Sequence, residues 1–172
     1  MQALAYWKSV VMDESNFLES LTNLLNERGI SYCVIGGQGV NASAEPLVSL
    51  DLDLVVALDQ LPEVEALLAR DYRVERFPNV YAEGSQVRVQ LQTDSRYRDF
   101  PVRAEEREIL GLRLPVARVE DVLDGKVWAV QDVERRATKR RKDLLDIERL
   151  LEVRPDLRSR VPAELLKRLD SL

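Results

Sequence analysis

Histidine is absent from this chain, and no other feature of its composition removes as much chemistry. A Ser-His-Asp triad, an HExxH zinc site and an imidazole general base are all excluded. A single cysteine, Cys33, rules out an intramolecular disulfide and a cysteine-rich zinc site. It lies inside an apolar run and is expected to be plain core. No apolar stretch approaches the roughly 20 residues needed to span a bilayer. Met1 to Met12 holds one basic residue and lacks the apolar centre of a signal peptide. A cytoplasmic protein with no membrane partner is therefore expected. Net charge of −5 and a pI near 5.0 give no overall attraction to nucleic acid, although a local basic patch stays open. There is no internal repeat, low-complexity segment or Gly/Ser linker. What is present is ordinary: 172 residues, 45% hydrophobic and 32% charged, fit one core with a helical appendage.

The order of elements reads as mixed α and β. Phe17, Leu18, Leu21, Leu24 and Leu25 recur at helical spacing, and Gly29 stops a helix from about Asp13 to Arg28. Strands are expected over 31–35, 50–58, 72–77, 80–82 and 87–93, with a turn at Glu83-Gly84-Ser85. Asp59 is expected to cap a helix over Leu61–Arg70, with Pro62 in its first turn. Asn41–Pro46 reads as loop, Arg96–Arg107 as mixed, and Ile109–Val116 as a hairpin. Helices follow over 119–136, 139–151 and 163–169. The expected division is an α/β core over residues 1–117 and a helical segment over 118–172 packed on it.

The chain is organised around two features between residues 32 and 56. A β-branched run ends in Gly36-Gly37, and thirteen residues later an alternating run sets Asp51 and Asp53 two apart. Along a strand, residues i and i+2 share a face, so both carboxylates project together while Leu50, Leu52 and Leu54 project oppositely. Two such carboxylates repel unless a cation lies between them. Hard oxygen ligands suit Mg²⁺, which keeps waters and takes further ligands from substrate phosphates. The glycines allow close backbone approach with free N–H groups. A glycine turn before an edge strand is the plainer alternative.

The pattern Ile35-Gly36-Gly37, a gap of thirteen, then Asp51-Leu52-Asp53-Leu54 resembles the nucleotidyltransferase superfamily that shares the DNA polymerase β fold. The gap is at the upper end of that family's range. The resemblance implies an α+β nucleotidyltransferase fold, a mixed sheet flanked by helices with a helical C-terminal segment. It also implies a Mg²⁺-dependent enzyme moving a nucleoside monophosphate from an NTP to a hydroxyl acceptor. Asp51 and Asp53 would hold the metal, and the loop Gly36, Gly37, Gln38 would meet the triphosphate. Ser49 matches a position where the family often carries Ser or Thr. The strand that often supplies the family's third carboxylate offers only Arg88, Gln90 and Gln92, with Asp94 at its end. A one-metal mechanism, a role for Asp94, or a catalytically degenerate nucleotide- or RNA-binding module are all compatible with that departure.

Lys126 falls at the centre of the stripe Val119, Val122, Leu123, Ala129, Val130 and Val133. A lysine there snorkels, pairs with a carboxylate or serves a site, because a buried unpaired charge is costly. If it serves the site, Lys126→Met is expected to keep stability and weaken nucleotide binding. In the following helix Leu144, Ile147, Leu150 and Leu151 form the apolar face, with Asp143 at its edge and Asp146 further round. Lys139–Asp143 and Lys142–Asp146 are i,i+4 pairs suited to a solvated helix. The series Leu110-Gly111, Val116-Ala117, Glu120-Asp121-Val122, Lys126 and Arg141–Asp146 resembles AbiEii-like nucleotidyltransferases of toxin–antitoxin systems. That resemblance implies that Lys126 and Asp143 complete the nucleotide site, with a tRNA or protein acceptor and an antitoxin as candidate partners. The basic run Arg135–Lys142 reads either as an RNA contact or as a solvated helix junction.

Overall fold

A computed structural model describes residues 12–49, 51–76, 79–81 and 88–171. Alternation along the strands builds the molecule. In β1 (Tyr32–Ile35), Tyr32 and Val34 enter one core while Cys33 and Ile35 enter another. In β2 (Asp51–Val56), Leu52, Leu54 and Val56 join the first core, and Val55 joins the second. The expected start of β2 at Leu50 lies outside the described residues. The two cores are thus the two faces of one sheet, as a period of two requires.

The first face is covered by α1 (Met12–Glu27), which buries Phe17, Leu18, Leu21 and Leu25, and by α3 (Leu61–Asp71) through Val64 and Leu68. The second is covered by α5 (Val119–Gln131), α6 (Ala137–Val153) and α7 (Ala163–Leu169). The sheet also contains β3 (Arg73–Arg76), β4 (Asn79–Tyr81), β5 (Arg88–Gln92), β6 (Glu105–Ile109) and β7 (Leu112–Val116). Among the described residues its seven strands run in the order β3-β4-β5-β2-β1-β7-β6. β1 and β2 are antiparallel neighbours, whereas β2–β5 and β1–β7 are parallel. The class is α+β, as expected. The turn expected at residues 83–85 lies outside the described residues. Among the described residues no helix is long and apolar enough to cross a membrane.

Four local expectations are corrected. The glycine segment after β1 is a short helix, α2 (Gly36–Asn41), where a loop was expected. Its glycines are poor helix formers, but Gly39 lets it press on α5, where an added Cβ would lie 3.0 Å from Val122 Cγ2. Asp59 does not cap α3: it sits in a 3₁₀ turn, Leu58–Gln60, and Gln60 precedes α3 without a side-chain cap bond. The expected helix 119–136 stops at Gln131, because Asp132 Oδ1 accepts the Glu134 N–H at 3.0 Å and turns the chain. Val133 is consequently 78% exposed and outside the apolar stripe. The 96–107 stretch resolves into a 3₁₀ turn at Ser95–Tyr97, a short helix α4 (Phe100–Arg103) and β6, which extends the expected hairpin back to Glu105.

Candidate active site

The first residues of β2 form the floor of a cleft of about 370 Å³. Asp51 and Asp53 share the second sheet face, and the parallel register with β5 sets Arg88 beside Asp51 and Gln90 beside Asp53. Arg88 donates to Asp51 Oδ2 at 2.7 Å. Asp53 has no hydrogen-bond or ion-pair partner among the described residues. Burial pushes its carboxyl pKa up, Lys126 opposes that shift, and Asp51 adds to it. The Asp53 carboxylate also abuts the start of α2. Gly36 is left-handed (φ +64°), and an added Cβ would lie 2.0 Å from Asp53 Oδ2. At Gly37, the next residue of the rim, an added Cβ would meet only Ser49 among the described residues, at 3.4 Å.

The opposite wall comes from α5 and α6. Lys126 is 7% exposed, and its ammonium lies 2.9 Å from Asp143 Oδ1 and 2.7 Å from Asp146 Oδ2. Burial alone would lower its pKa, but the two carboxylates outweigh burial and hold it above the ordinary value. Arg135, returned to the cleft by the Asp132 turn, donates Nε–H to Asp143 Oδ2 at 2.6 Å. Arg149 donates to Asp146 Oδ1 at 2.8 Å, to Asn41 Oδ1 at 3.0 Å and to the Glu45 carbonyl. Asn41 in turn bonds both the Leu47 carbonyl and the Leu47 N–H. These bonds tie α6 to the 42–49 segment that leads into Asp51.

Gly36, Gly37, Ser49, Asp51, Asp53, Lys126 and Asp143, singled out in the sequence, all line this one cleft. Gln38 does not: it is buried, and its Nε2 donates to the Ser49 carbonyl at 3.0 Å. Asp94 is turned to Arg96, accepting its backbone N–H and its guanidinium, and stays outside the cleft. The lysine at the stripe's centre pairs with Asp143 and Asp146, whose spacing from Lys139 and Lys142 suits a solvated helix and of which the resemblance implied Asp143 as a site residue. Both aspartates are buried, 2% and 3% exposed. The physical reason is that α6 packs against α5 and also receives the 42–49 segment through Arg149, so its buried arc is wider than its leucine face. Lys139 and Lys142 line the cleft and make no ion pair among the described residues. Tyr97, Asp121 and Arg135 also line the cleft, and sequence reasoning missed them as site residues. Tyr97 and Arg135 reach it from turns, where no period marks them, and Asp121 from α5, where it pairs with Arg103 at 2.7 Å.

Among the described residues, no three Asp, Glu, Cys or His side chains cluster closely enough to hold a metal. The donor set is two carboxylates on one strand face, with the amide of Gln90 in the adjacent position. Asp53 is unpartnered and desolvated, so its charge gains from a cation. The pair fits a divalent ion that draws its remaining ligands from water and phosphate.

No protein-family model and no curated protein match this chain. Solved structures do. The antibiotic-resistance factor ANT(2'')-Ia in solution is similar with a TM-score of 0.56 at 14% identity, over 84% of this chain and 91% of that one. The same factor in complex with adenylyl-2''-tobramycin gives 0.50 at 17%, over 87% and 99%. A nucleotidyltransferase-like protein from Paracoccidioides brasiliensis gives 0.51 at 20%, over 82% and 77%. The chain has the nucleotidyltransferase fold.

Proposed function

We propose that this chain is a Mg²⁺-dependent nucleotidyltransferase, moving a nucleoside monophosphate from an NTP to a hydroxyl acceptor and releasing pyrophosphate. One observation carries the reading. Asp51 and Asp53 face a cleft bordered by the Gly36-Gly37 backbone, with Lys126, Arg135, Lys139 and Lys142 on the other wall. Asp51 and Asp53 would hold the cation, which polarises the phosphates when bound. Gly36 and Gly37 bring backbone close to the triphosphate, with Ser49 beside them and Gln38 supporting Ser49 from behind. Lys139 and Lys142 neutralise phosphate charge, and Lys126 with Arg135 adds positive potential behind them. The acceptor oxygen bonds to the α-phosphorus as the bond to the bridging oxygen breaks, and pyrophosphate leaves with that electron pair. The acceptor's proton passes to a carboxylate of the floor. Asp143, which the resemblance implies as part of the nucleotide site, already accepts from Lys126 and Arg135 and is better suited to ordering the wall than to taking the proton.

One neighbour was solved with adenylyl-2''-tobramycin, which supports a small hydroxylated acceptor. The AbiEii-like resemblance in α5 and α6 supports instead a tRNA or protein acceptor, a toxin role and an antitoxin partner. The deciding experiment gives the protein Mg²⁺, each α-labelled NTP and, separately, total tRNA, lysate protein and hydroxylated antibiotics. Label should appear in one acceptor class with the parent and in none with Asp51→Asn/Asp53→Asn, whose far-UV spectrum stays unchanged. Equal labelling by the double variant would overturn the metal assignment.

A second reading is favoured by the Arg88 ion pair on Asp51 and by Gln90 standing beside Asp53: a binding module that keeps nucleotide affinity without chemistry. Tight Mg²⁺-NTP binding with no labelled product on any acceptor would select it.

A further inference from the structure

The ring of Tyr97 belongs to the second core, but its hydroxyl does not. The ring stands edge-on to Phe100 (5.1 Å) and to Trp128 (5.2 Å), and the residue is 7% exposed. Gly125 makes room for it from inside α5: an added Cβ there would lie 3.1 Å from Tyr97 Cε1 and 3.4 Å from its hydroxyl oxygen. Glycine weakens a helix interior, so α5 gives up helix stability where the ring meets the cleft wall. Tyr97 and Gly125 both line the cleft. The hydroxyl has no hydrogen-bond partner among the described residues, and on a residue that lines the cleft it is free to donate to a bound group. Packing alone would be served by phenylalanine, as at Phe100. Asp53 and Arg135 line the same cleft as Tyr97; both act electrostatically on the phenol, after burial and the nearer pair Arg96 and Asp94.

We propose that the Tyr97 hydroxyl is a phosphate-binding donor of this cleft, giving one hydrogen bond to a non-bridging oxygen of a bound nucleoside triphosphate. The inference rests on reading the cleft as an NTP site. Burial pushes the phenol pKa up to about 12, so the group stays neutral and able to donate at physiological pH. A neutral donor suits a cleft in which Lys126 and Arg135 are already committed to carboxylates.

Tyr97→Phe removes one oxygen atom and leaves the ring contacts in place. Titration calorimetry of the full chain with each Mg²⁺-NTP, and with each matching nucleoside, reads the effect. The expected result is an unchanged melting temperature, NTP affinity lowered about tenfold, and nucleoside affinity equal to that of the parent. An unchanged NTP affinity in the variant, with the parent binding normally, overturns this inference alone. Equal losses for NTP and nucleoside would assign the hydroxyl to sugar or base and also overturn it. A parent chain that binds none of the four NTPs removes the nucleotide-site reading, and this inference with it.

Discussion

Gly36 and Gly37 stand side by side on the rim of the cleft, but their neighbours give them different duties. At Gly36 a side chain meets both a left-handed backbone and the Asp53 carboxylate. Gly36→Ala is expected to cost about 1–3 kcal/mol in backbone strain alone, and to displace Asp53, read out by urea denaturation. At Gly37 the nearest atom to an added Cβ is an ordinary contact away. Gly37→Val is therefore expected to hold stability within about 1 kcal/mol, while nucleotide affinity falls because the branch enters the phosphate's path. Parallel losses in stability and affinity at Gly37 would reduce it to a turn residue. Asp53 adds a pH signature. Its folded-state pKa is raised, so the protonated form is favoured by folding, and that contribution fades as pH climbs from the ordinary carboxyl value through the raised one. In metal-free buffer Asp53→Asn should match the parent at low pH and melt higher at neutral pH. A Tm difference that does not vary with pH would disprove the desolvated carboxylate.

The helices are joined by a few polar and steric contacts, and their variants report on whole elements. Lys126 links α5 to α6 by contacting Asp143 and Asp146 together. Lys126→Met, expected from the sequence to keep stability, is now expected to lose about 3–5 kcal/mol, because it strips a partner from two buried carboxylates. Only a variant as stable as the parent would restore the view of Lys126 as a free site lysine. Between α2 and α5 the join is steric. Gly39→Ala places a methyl 3.0 Å from Val122 Cγ2, an overpacking worth about 1–3 kcal/mol. Val122→Ala should relieve part of that loss, and strictly additive effects in a double-mutant cycle would show that the two helices do not touch there.

At the scale of the molecule, the sheet separates support from function. Leu52 and Leu54 anchor β2 in one core while Asp51 and Asp53 stand on the opposite face, so floor and core share six residues. The chain carries net charge −5, yet the wall facing those aspartates gathers four cations. Nucleotide binding should weaken with salt, since exposed charges are screened within about 8–10 Å at 0.1–0.15 M. Lys139→Ala/Lys142→Ala should flatten that dependence, and an unchanged salt slope would remove both lysines from the phosphate site.

Whatever rests on local period and residue chemistry could be read along the chain. The strands β1 and β2, the helix α1, the paired aspartates, the glycines beside them and the exclusion of histidine chemistry were all legible, because alternation and helical spacing mark buried faces directly. Which residues meet across the fold was not legible there. Asp146 lies off the leucine stripe of its own helix, and its burial depends on Arg149 reaching Asn41 and the Glu45 carbonyl, more than a hundred residues away in sequence. Arg135 reaches the cleft only because the Asp132 turn ends α5 early. Tyr97 enters through a notch that a glycine on another element provides. Each of these depends on contacts between segments distant in the chain, and the period of a single segment carries no trace of its neighbours.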